Sequence, residues 1–244
     1  MVITELYNEH CLTTMSRMSN KQIDLTITSP PYNMNLRIRK GKHCSRQIVK
    51  ELSTKYPDFS DNLPMDDYYN FHRDVINELL RVSKITFYNI QFLTGNKSAL
   101  YKLIGEFNEN IKEFIIWDKV NAQPAIGNNV LNSQFEVLLV LCDKDYAISR
   151  AFNDDNCDFG RGTLSNVWQI KSEKKRNATM GAAMPCELVE KIIDNFNTKF
   201  NATVYDPFAG TGTTLAIAQS WGYNSIGSEI SELQYNHAKQ RLGL

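Results

Sequence analysis

A mostly parallel, seven-stranded α/β sheet with helices on both faces is the fold that three features of this 244-residue sequence predict. Short strand-like runs alternate with amphipathic helical stretches along the chain, the pattern of a sheet covered on both faces. With 42% hydrophobic residues the length suffices for one full core, and no internal repeat, low-complexity tract or compositional break marks a boundary, so residues 1–244 are read as a single domain. Near the C-terminal end, "ATVYDPFAGTGTTLAIAQSWGYNSIGSEIS" reads as strand, glycine-rich turn, helix, strand and terminal acid, a Rossmann-like βαβ unit.

The first strand is expected over 2–7 and the first helix over 11–18. A strand over 23–28 then runs into Ser29-Pro30-Pro31-Tyr32-Asn33, where two prolines forbid continuation of helix or sheet. Read alone, this is either a rigid turn or a hook fixed for a purpose. The stretch "DDYYNFHRDVINELLRV" predicts a helix over 66–82, because Tyr68, Phe71, Val75, Leu79 and Val82 recur at helical spacing; the stripe is read as core, not as a cofactor box. Strands over 84–92, 112–118 and 135–142 follow, with a helix over 97–109. Helices over 185–197, 212–221 and 231–242 and strands over 202–206 and 223–228 complete the series. Segments 34–64, 119–133 and 150–183 exceed ordinary α/β connections and are read as loop insertions that carry function or disorder.

Lys+Arg and Asp+Glu both number 27, so any nucleic-acid surface must arise from local clustering. Two clusters stand out: Arg37, Arg39, Lys40, Lys42 and Arg46 directly after the hook, and Lys171, Lys174, Lys175 and Arg176. Such runs are either solvated faces or phosphate contacts. Adjacency to the hook favours the second reading for the first cluster. Cys11, Cys44, Cys142, Cys157 and Cys186 fall in no metal-ligand spacing, so free thiols in a reducing cytoplasm, and no metal, are expected. The N-terminus lacks a basic region leading into an apolar stretch, and no window reaches the length of a membrane helix; a soluble, intracellular chain with no membrane partner is expected.

Within the βαβ unit, Gly210 and Gly212 are expected to let the backbone turn tightly and approach a ligand. Thr211, Thr213 and Thr214 are expected to satisfy the amides that open the next helix. Glu229 stands where such units hold a ribose. The spacing is neither the dinucleotide G-x-G-x-x-G nor the phosphate loop G-x-x-x-x-G-K-[ST], so a nucleoside-like ligand without a phosphate anchor fits better.

Together, "DPFAGTGTT" and "TSPPYN" resemble the S-adenosylmethionine-dependent DNA amino-methyltransferases, which modify the exocyclic amine of adenine or cytosine. The hook precedes the glycine turn, an order similar to the β group of that family, a permuted form of the Rossmann-like methyltransferase fold. The likeness extends through "ELLRVSK", "IIWDK", "FEVLLVLC", "NVWQI" and "AAMPCELVEKII", covering nearly the whole chain. It implies a cytoplasmic, prokaryotic, viral or phage-encoded enzyme acting on double-stranded DNA, and admits a cognate restriction endonuclease and a homodimer as further partners.

The resemblance also implies roles. Ser29 and the Pro30 carbonyl accept the target amine's hydrogens, Pro31 helps fix that backbone, and Tyr32 stacks on the flipped base. Asp206 lies near the cofactor's methionine amine, Phe208 packs on the cofactor, and Gly210, Gly212 and Thr213 form its turn, with Glu229 on the ribose. Family members commonly carry Gly-Asp-Cys at the end of the first strand, with the aspartate on the cofactor's adenine. Here Glu9-His10-Cys11 stands instead. Three readings are open: Glu9 substitutes by a register shift, His10 accepts the bond as neutral imidazole, or His10 merely starts a helix. Target recognition is expected in 119–133 and 150–183, where Asn121, Gln123, Asn128 and Asn129 suit adenine edges. Serine at the hook leans towards cytosine-N4, whereas Asn33 is common among adenine-N6 enzymes. An RNA or protein amine methyltransferase and a silent nucleic-acid-binding homologue are the alternatives, against which motif order and the intact Ser-Pro-Pro-Tyr speak.

Overall fold

Eight strands form the main sheet of the computed structural model, which describes residues 2–33, 37–39, 42–44, 63–122, 128–152, 157, 159–173, 184–196 and 201–244, with 37–39 and 42–44 as backbone only. In chain order the strands are β1 (Thr4–Tyr7), β2 (Ile23–Thr28), β3 (Arg37–Arg39), β4 (Lys42–Cys44), β5 (Ser83–Ile90), β6 (Ile111–Asp118), β7 (Phe135–Cys142), β8 (Val167–Gln169), β9 (Thr203–Asp206) and β10 (Asn224–Ser228). The main sheet runs β1-β10-β9-β2-β5-β7-β6-β8, and β3 pairs with β4 in a separate hairpin. Within the main sheet only β7 is antiparallel to its neighbours β5 and β6; the other pairs are parallel. The helices are α1 (Cys11–Ser16), α2 (Met65–Val82), α3 (Lys97–Glu106), α4 (Lys144–Ala147), α5 (Cys186–Phe196), α6 (Thr213–Ser220) and α7 (Glu232–Leu242).

Alternation along the central strands sorts their side chains into two helix-covered layers. Val137, Leu139 and Leu141 of β7 join Tyr88 and Ile90 of β5 against Val75, Ile76 and Leu79 of α2 and Leu100 and Leu103 of α3. Leu138 and Val140 point the other way, with Ile85, Phe87, Leu25 and Ile27, against Leu188, Val189, Ile192 and Ile193 of α5 and Ile217 of α6. Strands buried on both faces must be apolar on both. That is why "FEVLLVLC" reads as a continuous hydrophobic run with one polar residue, Glu136.

The mostly parallel sheet with helices on both faces agrees with the sequence expectation; the strand count is eight and not seven. The extra strand, β8, lies inside the 150–183 segment read as irregular. Three residues are too few to show a period of two, and what makes them a strand is tertiary. Val167, Trp168 and Gln169 pair with Ile116, Trp117 and Asp118. Trp168 is buried, and the Trp117 indole N–H donates to the Ile170 carbonyl at 2.7 Å. The β3–β4 hairpin and the one-turn α4 are likewise too short to be legible. The α2 stripe is core at Tyr68, Val75, Leu79 and Val82. Phe71 differs: it is only partly buried and lines a pocket, so that position of the stripe does face a site.

Gly212 opens α6 with φ +77°, in the left-handed region. A Cβ there would lie 3.1 Å from the Cβ of Ala238 on α7, so its bare backbone serves helix packing as well as the turn. The direction a Cβ would take at Gly212 is thus filled by α7. We expect Gly212→Ala to destabilise the fold by about 1–3 kcal/mol, from combined strain and overpacking. A lowered urea midpoint with unchanged slope checks this, and an unshifted midpoint contradicts it.

Candidate functional site

Parallel strands deliver their C-terminal ends to one edge of the sheet, and in open α/β sheets ligands bind at that edge where strand order reverses. Here β9 and β2 lie side by side, with Leu25 opposite Val204 and Thr26 opposite Tyr205. The loops leaving β1, β10, β9 and β2 therefore meet. A pocket opens between them, with His10 from the β1 loop, Glu229 from β10, Asp206, Phe208 and Gly210 from β9, and Ser29 and Pro31 from the hook on its walls. Thr213 also lines it. Residues near the two ends of the sequence thus share one cavity.

The carboxylates in this pocket are held in different ways. Asp206 is buried, and its Oδ1 accepts from the Thr28 hydroxyl at 2.8 Å and the Phe208 amide at 3.1 Å. Burial pushes its carboxyl up to about 6, against the pull of hydrogen bonds from Thr28, Thr214 and the Phe208 amide. Glu229 is also buried; its Oε2 accepts from the Gly210 amide and its Oε1 from the Ser231 amide, each at 2.8 Å. These bonds fix the carboxylate and the glycine turn against each other. Gly210 has φ +54°, and a Cβ on it would press on the Gln234 side chain at 3.3 Å. Phe208 and Phe71 meet edge-on with ring centres 6.0 Å apart, giving an aromatic wall beside the two acids. Buried acid, fixed acid and aromatic wall suit a ligand that carries a cationic amine, vicinal hydroxyls and a flat ring.

Two expectations for this half of the site are corrected. No side chain caps α6 at Gly212. Instead the Thr213 hydroxyl accepts from Arg241 at 2.9 Å, and Thr214 bonds Asp206. His10 is the N-cap of α1: its Nδ1 accepts from the Leu12 amide at 3.2 Å. Burial lowers its pKa, so the ring is neutral at physiological pH with its proton on Nε2. It can donate to a ligand; the acceptor role is taken by its own helix. Glu9 is engaged by the Thr14 hydroxyl at 2.7 Å and by Arg17.

The hook is clamped from several sides. Asn33 sits at φ +50°, a conformation asparagine tolerates, and its buried side chain bonds the carbonyls of Leu63 and Gly95 and the amide of Leu63 at 2.7–3.0 Å. Asn96, fully buried, donates to the Tyr32 carbonyl at 2.7 Å, and the Tyr68 hydroxyl donates to the Pro31 carbonyl at 3.0 Å. Beneath Tyr68 lies buried His72, held neutral by burial, which brings its pKa to about 3, with Nδ1 2.6 Å from the Tyr88 hydroxyl. The Tyr32 hydroxyl is not free at the surface: it meets Ser29 Oγ at 2.8 Å, Asn89 at 2.7 Å and Glu136 at 2.8 Å. Asn89 and Glu136 were not legible as site residues; a lone carboxylate in an otherwise apolar strand was the available signal.

The basic residues are only partly placed. Arg37, Arg39 and Lys42 lie on the β3–β4 ladder, opposite Cys44, Lys42 and Arg39 respectively. Lys40, Arg46, Lys174, Lys175, Arg176 and Gln123 lie outside the described residues. Asn121 spends its side chain bridging the two long loops, donating to the Ser172 carbonyl at 3.2 Å and accepting from the Ser172 amide at 3.0 Å, which corrects its reading as a base-edge residue. Asn128 and Asn129 are exposed. Among the described residues no cluster of ligands suits a metal ion, and no helix is long and apolar enough to cross a membrane.

The model of a DNA methylase family matches residues 23–240. Type II methyltransferase M.HinfI of Haemophilus influenzae is 27% identical over 95% of this chain, which spans 66% of that protein's length. Type II methyltransferase M2.MboI of Moraxella bovis is 23% identical over 97% of this chain and 86% of its own. Among solved structures, the cytosine-N4-specific PvuII DNA methyltransferase superposes with TM-score 0.71 at 15% identity, over 99% of this chain and 86% of that one. The M1.HpyAVI–SAM complex gives TM-score 0.62 at 18% identity, over 99% and 100%.

A cation placed against Asp206 makes binding depend on pH. The folded carboxyl sits above its ordinary 3.8, so between about 4 and 6 it keeps a proton that the unfolded chain has lost, and folding stability falls as pH rises through that window. A cationic ligand needs the ionised form, so its affinity moves the other way. We expect S-adenosylmethionine to bind more weakly as pH falls below about 6, approaching tenfold per unit, with a plateau above. Asp206→Asn separates this from protonation of His10: calorimetric titration from pH 5 to 8 should show the dependence flattened, and an undiminished slope in that variant would assign it elsewhere.

Proposed function

The chain belongs to the DNA methylase family, and we propose that the pocket between hook and glycine turn carries its reaction: methyl transfer from S-adenosylmethionine to the exocyclic amine of a base flipped out of double-stranded DNA. The observation that carries the reading is that Ser29 and Pro31 wall the same cavity as Asp206, Phe208 and Glu229. When bound, the cofactor supplies an electrophilic methyl group on a positively charged sulfur. The chain's residues do the rest. Asp206 pairs with the cofactor's amine, Glu229 uses its remaining lone pairs on the ribose, Phe208 and Phe71 pack on its flat parts, and His10 donates from Nε2.

An exocyclic amine is a poor nucleophile because its lone pair is delocalised into the ring. Ser29 Oγ and the Pro30 carbonyl accept its two hydrogens and draw the nitrogen towards a tetrahedral shape, and the prolines hold those acceptors in place without reorganisation. Tyr32 offers its ring to the extruded base, offsetting part of the few kcal/mol lost on unstacking. No covalent intermediate on the protein is needed.

The whole chain, 1–244, acts as one catalytic domain, with 34–64, 119–133 and 150–183 as its DNA-recognition elements. The β3–β4 hairpin follows the hook closely in sequence, so Arg37, Arg39 and Lys42 lie on the segment that phosphates flanking a flipped base would pass; Lys40, Arg46, Lys174 and Lys175 are further candidate phosphate contacts on the sequence alone. A cognate restriction endonuclease is proposed as a partner, in keeping with the type II methyltransferases the chain resembles. A cytoplasmic setting fits the free thiols of Cys11, Cys142, Cys157 and Cys186, and a homodimer would be seen directly by sedimentation.

The base is read as cytosine, methylated at N4, because the hook opens with a neutral serine. The competing adenine cue, Asn33, is weakened by its bonds to Leu63 and Gly95, which engage it in holding the hook's backbone. Digesting modified DNA to nucleosides and resolving them by mass spectrometry should show N4-methyldeoxycytidine, reduced at least about a hundredfold with Ser29→Ala. Exclusive N6-methyldeoxyadenosine would reverse the base assignment, and undiminished product from Ser29→Ala would remove the hook from the mechanism.

A further inference from the structure

Four adjacent strands bring five polar groups together at the back of the hook. Because β7 runs against its neighbours, its first residues lie at the same sheet edge as the last residues of β2, β5 and β6. Glu136 near the start of β7 thereby meets Asn89 of β5, Lys119 just past β6, and Ser29 and Tyr32 just past β2. Glu136 is buried, and its carboxylate is fully engaged: Oε1 takes Lys119 Nζ at 3.0 Å, and Oε2 takes the Tyr32 hydroxyl at 2.8 Å and the Asn89 amide nitrogen at 2.7 Å. Lys119 is itself nearly buried, with 12% of its side chain exposed. Burying such a pair is a net cost unless its geometry serves something, and a hydrophobic pair of similar size would pack as well.

Counting hydrogens shows what it serves. A phenol carries one proton, and Tyr32 gives it to Glu136. The Tyr32 oxygen is then an acceptor only, taking one N–H from Asn89 at 2.7 Å. Ser29 Oγ lies 2.8 Å from the same oxygen, and with the phenolic proton committed it must be the donor. Its hydrogen is turned back into the protein, away from the pocket that Ser29 lines; the Asn89 amide nitrogen reaches Ser29 Oγ only at a long 3.5 Å, so Oγ keeps acceptor capacity for a hydrogen arriving from the pocket side. A serine hydroxyl free to rotate would present its own hydrogen part of the time and repel the amine hydrogen it has to accept.

We infer that Glu136 is a positioning residue for methyl transfer: through Tyr32 and with Asn89 it locks the Ser29 hydroxyl as a hydrogen-bond acceptor facing the target amine, while Lys119 pairs with its other carboxylate oxygen. Donation from Ser29 into a charged chain also strengthens Ser29 as an acceptor, since linked hydrogen bonds polarise one another. The inference rests on the hook reading given above, and its test keeps the two apart.

The test is a double-mutant cycle on methyl transfer, with Glu136→Gln, Tyr32→Phe and their combination, alongside cofactor titration calorimetry. Tyr32→Phe keeps the ring and removes the phenol that links Glu136 to Ser29. We expect Glu136→Gln to lower kcat about 10- to 100-fold, the range for losing a hydrogen bond to a charged group, with the dissociation constant for S-adenosylmethionine changed less than about twofold. In the Tyr32→Phe background the same substitution should cost no more than about twofold further. Wild-type kcat in Glu136→Gln overturns the inference, as does a double variant whose loss is the product of the single losses. Ser29→Ala is the separating arm: if it is inactive while Glu136→Gln turns over normally, only the positioning role falls, whereas a fully active Ser29→Ala removes the hook reading itself. If Glu136→Gln fails to fold because Lys119 is left without its carboxylate, Glu136→Gln combined with Lys119→Met removes both charges and the cycle is read in that pair.

Discussion

The pairing of β2 with β9 is the constraint on which the site depends. These strands carry the hook and the glycine turn, and the hydrogen bond between Thr28 and Asp206 joins residues 178 positions apart at 2.8 Å. A parallel pair cannot be closed by a tight turn, so every element between the two must fold into crossovers before they can lie side by side. Once they do, both loops emerge at one edge and face each other. Register matters as much as adjacency. A one-residue slip would turn Thr28 and Asp206 to the opposite faces of their strands, and the core side chains of the helical layers on either side would be exchanged.

Two electrostatic problems arise at that edge and are solved differently. Among the described residues Asp206 has no cationic partner and is held by neutral donors, and burial leaves its carboxyl high, at about 6, and ready to gain from a positively charged ligand. Glu136 is buried beside Lys119 and is fully satisfied within the protein. The first arrangement leaves something for a ligand to supply. The second closes on itself and passes its effect through oriented hydrogens to Ser29. One carboxylate in the pocket is thus poised to respond to ligand and another, behind the hook, fixes geometry, and the difference comes from what surrounds each group.

How much was legible in the sequence follows from length and periodicity. The α2 stripe, the β5–β7 block and the βαβ unit span enough residues for their periods to show, and their boundaries fall within a few residues of expectation. β8, α4 and the β3–β4 hairpin have three or four residues per element, and only tertiary pairing defines them. At the site, the hook and Glu229 were legible because proline and glycine impose backbone geometry wherever they occur. Asn89, Lys119 and Glu136 were not, since each is an ordinary polar residue in or beside a strand until β7 is known to run antiparallel and bring Glu136 to the hook's edge. His10, Asn121 and Thr213 show the converse: polar residues with ligand-binding chemistry have side chains engaged by a helix end, a loop or a neighbouring helix.

The central claim is that hook and cofactor turn form a single pocket across the β2–β9 junction. A crystal structure of the protein with S-adenosylhomocysteine tests it most directly. The account expects the ligand's ribose hydroxyls on Glu229, its amine on Asp206, and its sulfur open towards Ser29 Oγ, where the missing methyl group would face an amine. A ligand bound at another edge of the sheet, or bound here with its sulfur walled off from Ser29, would contradict it.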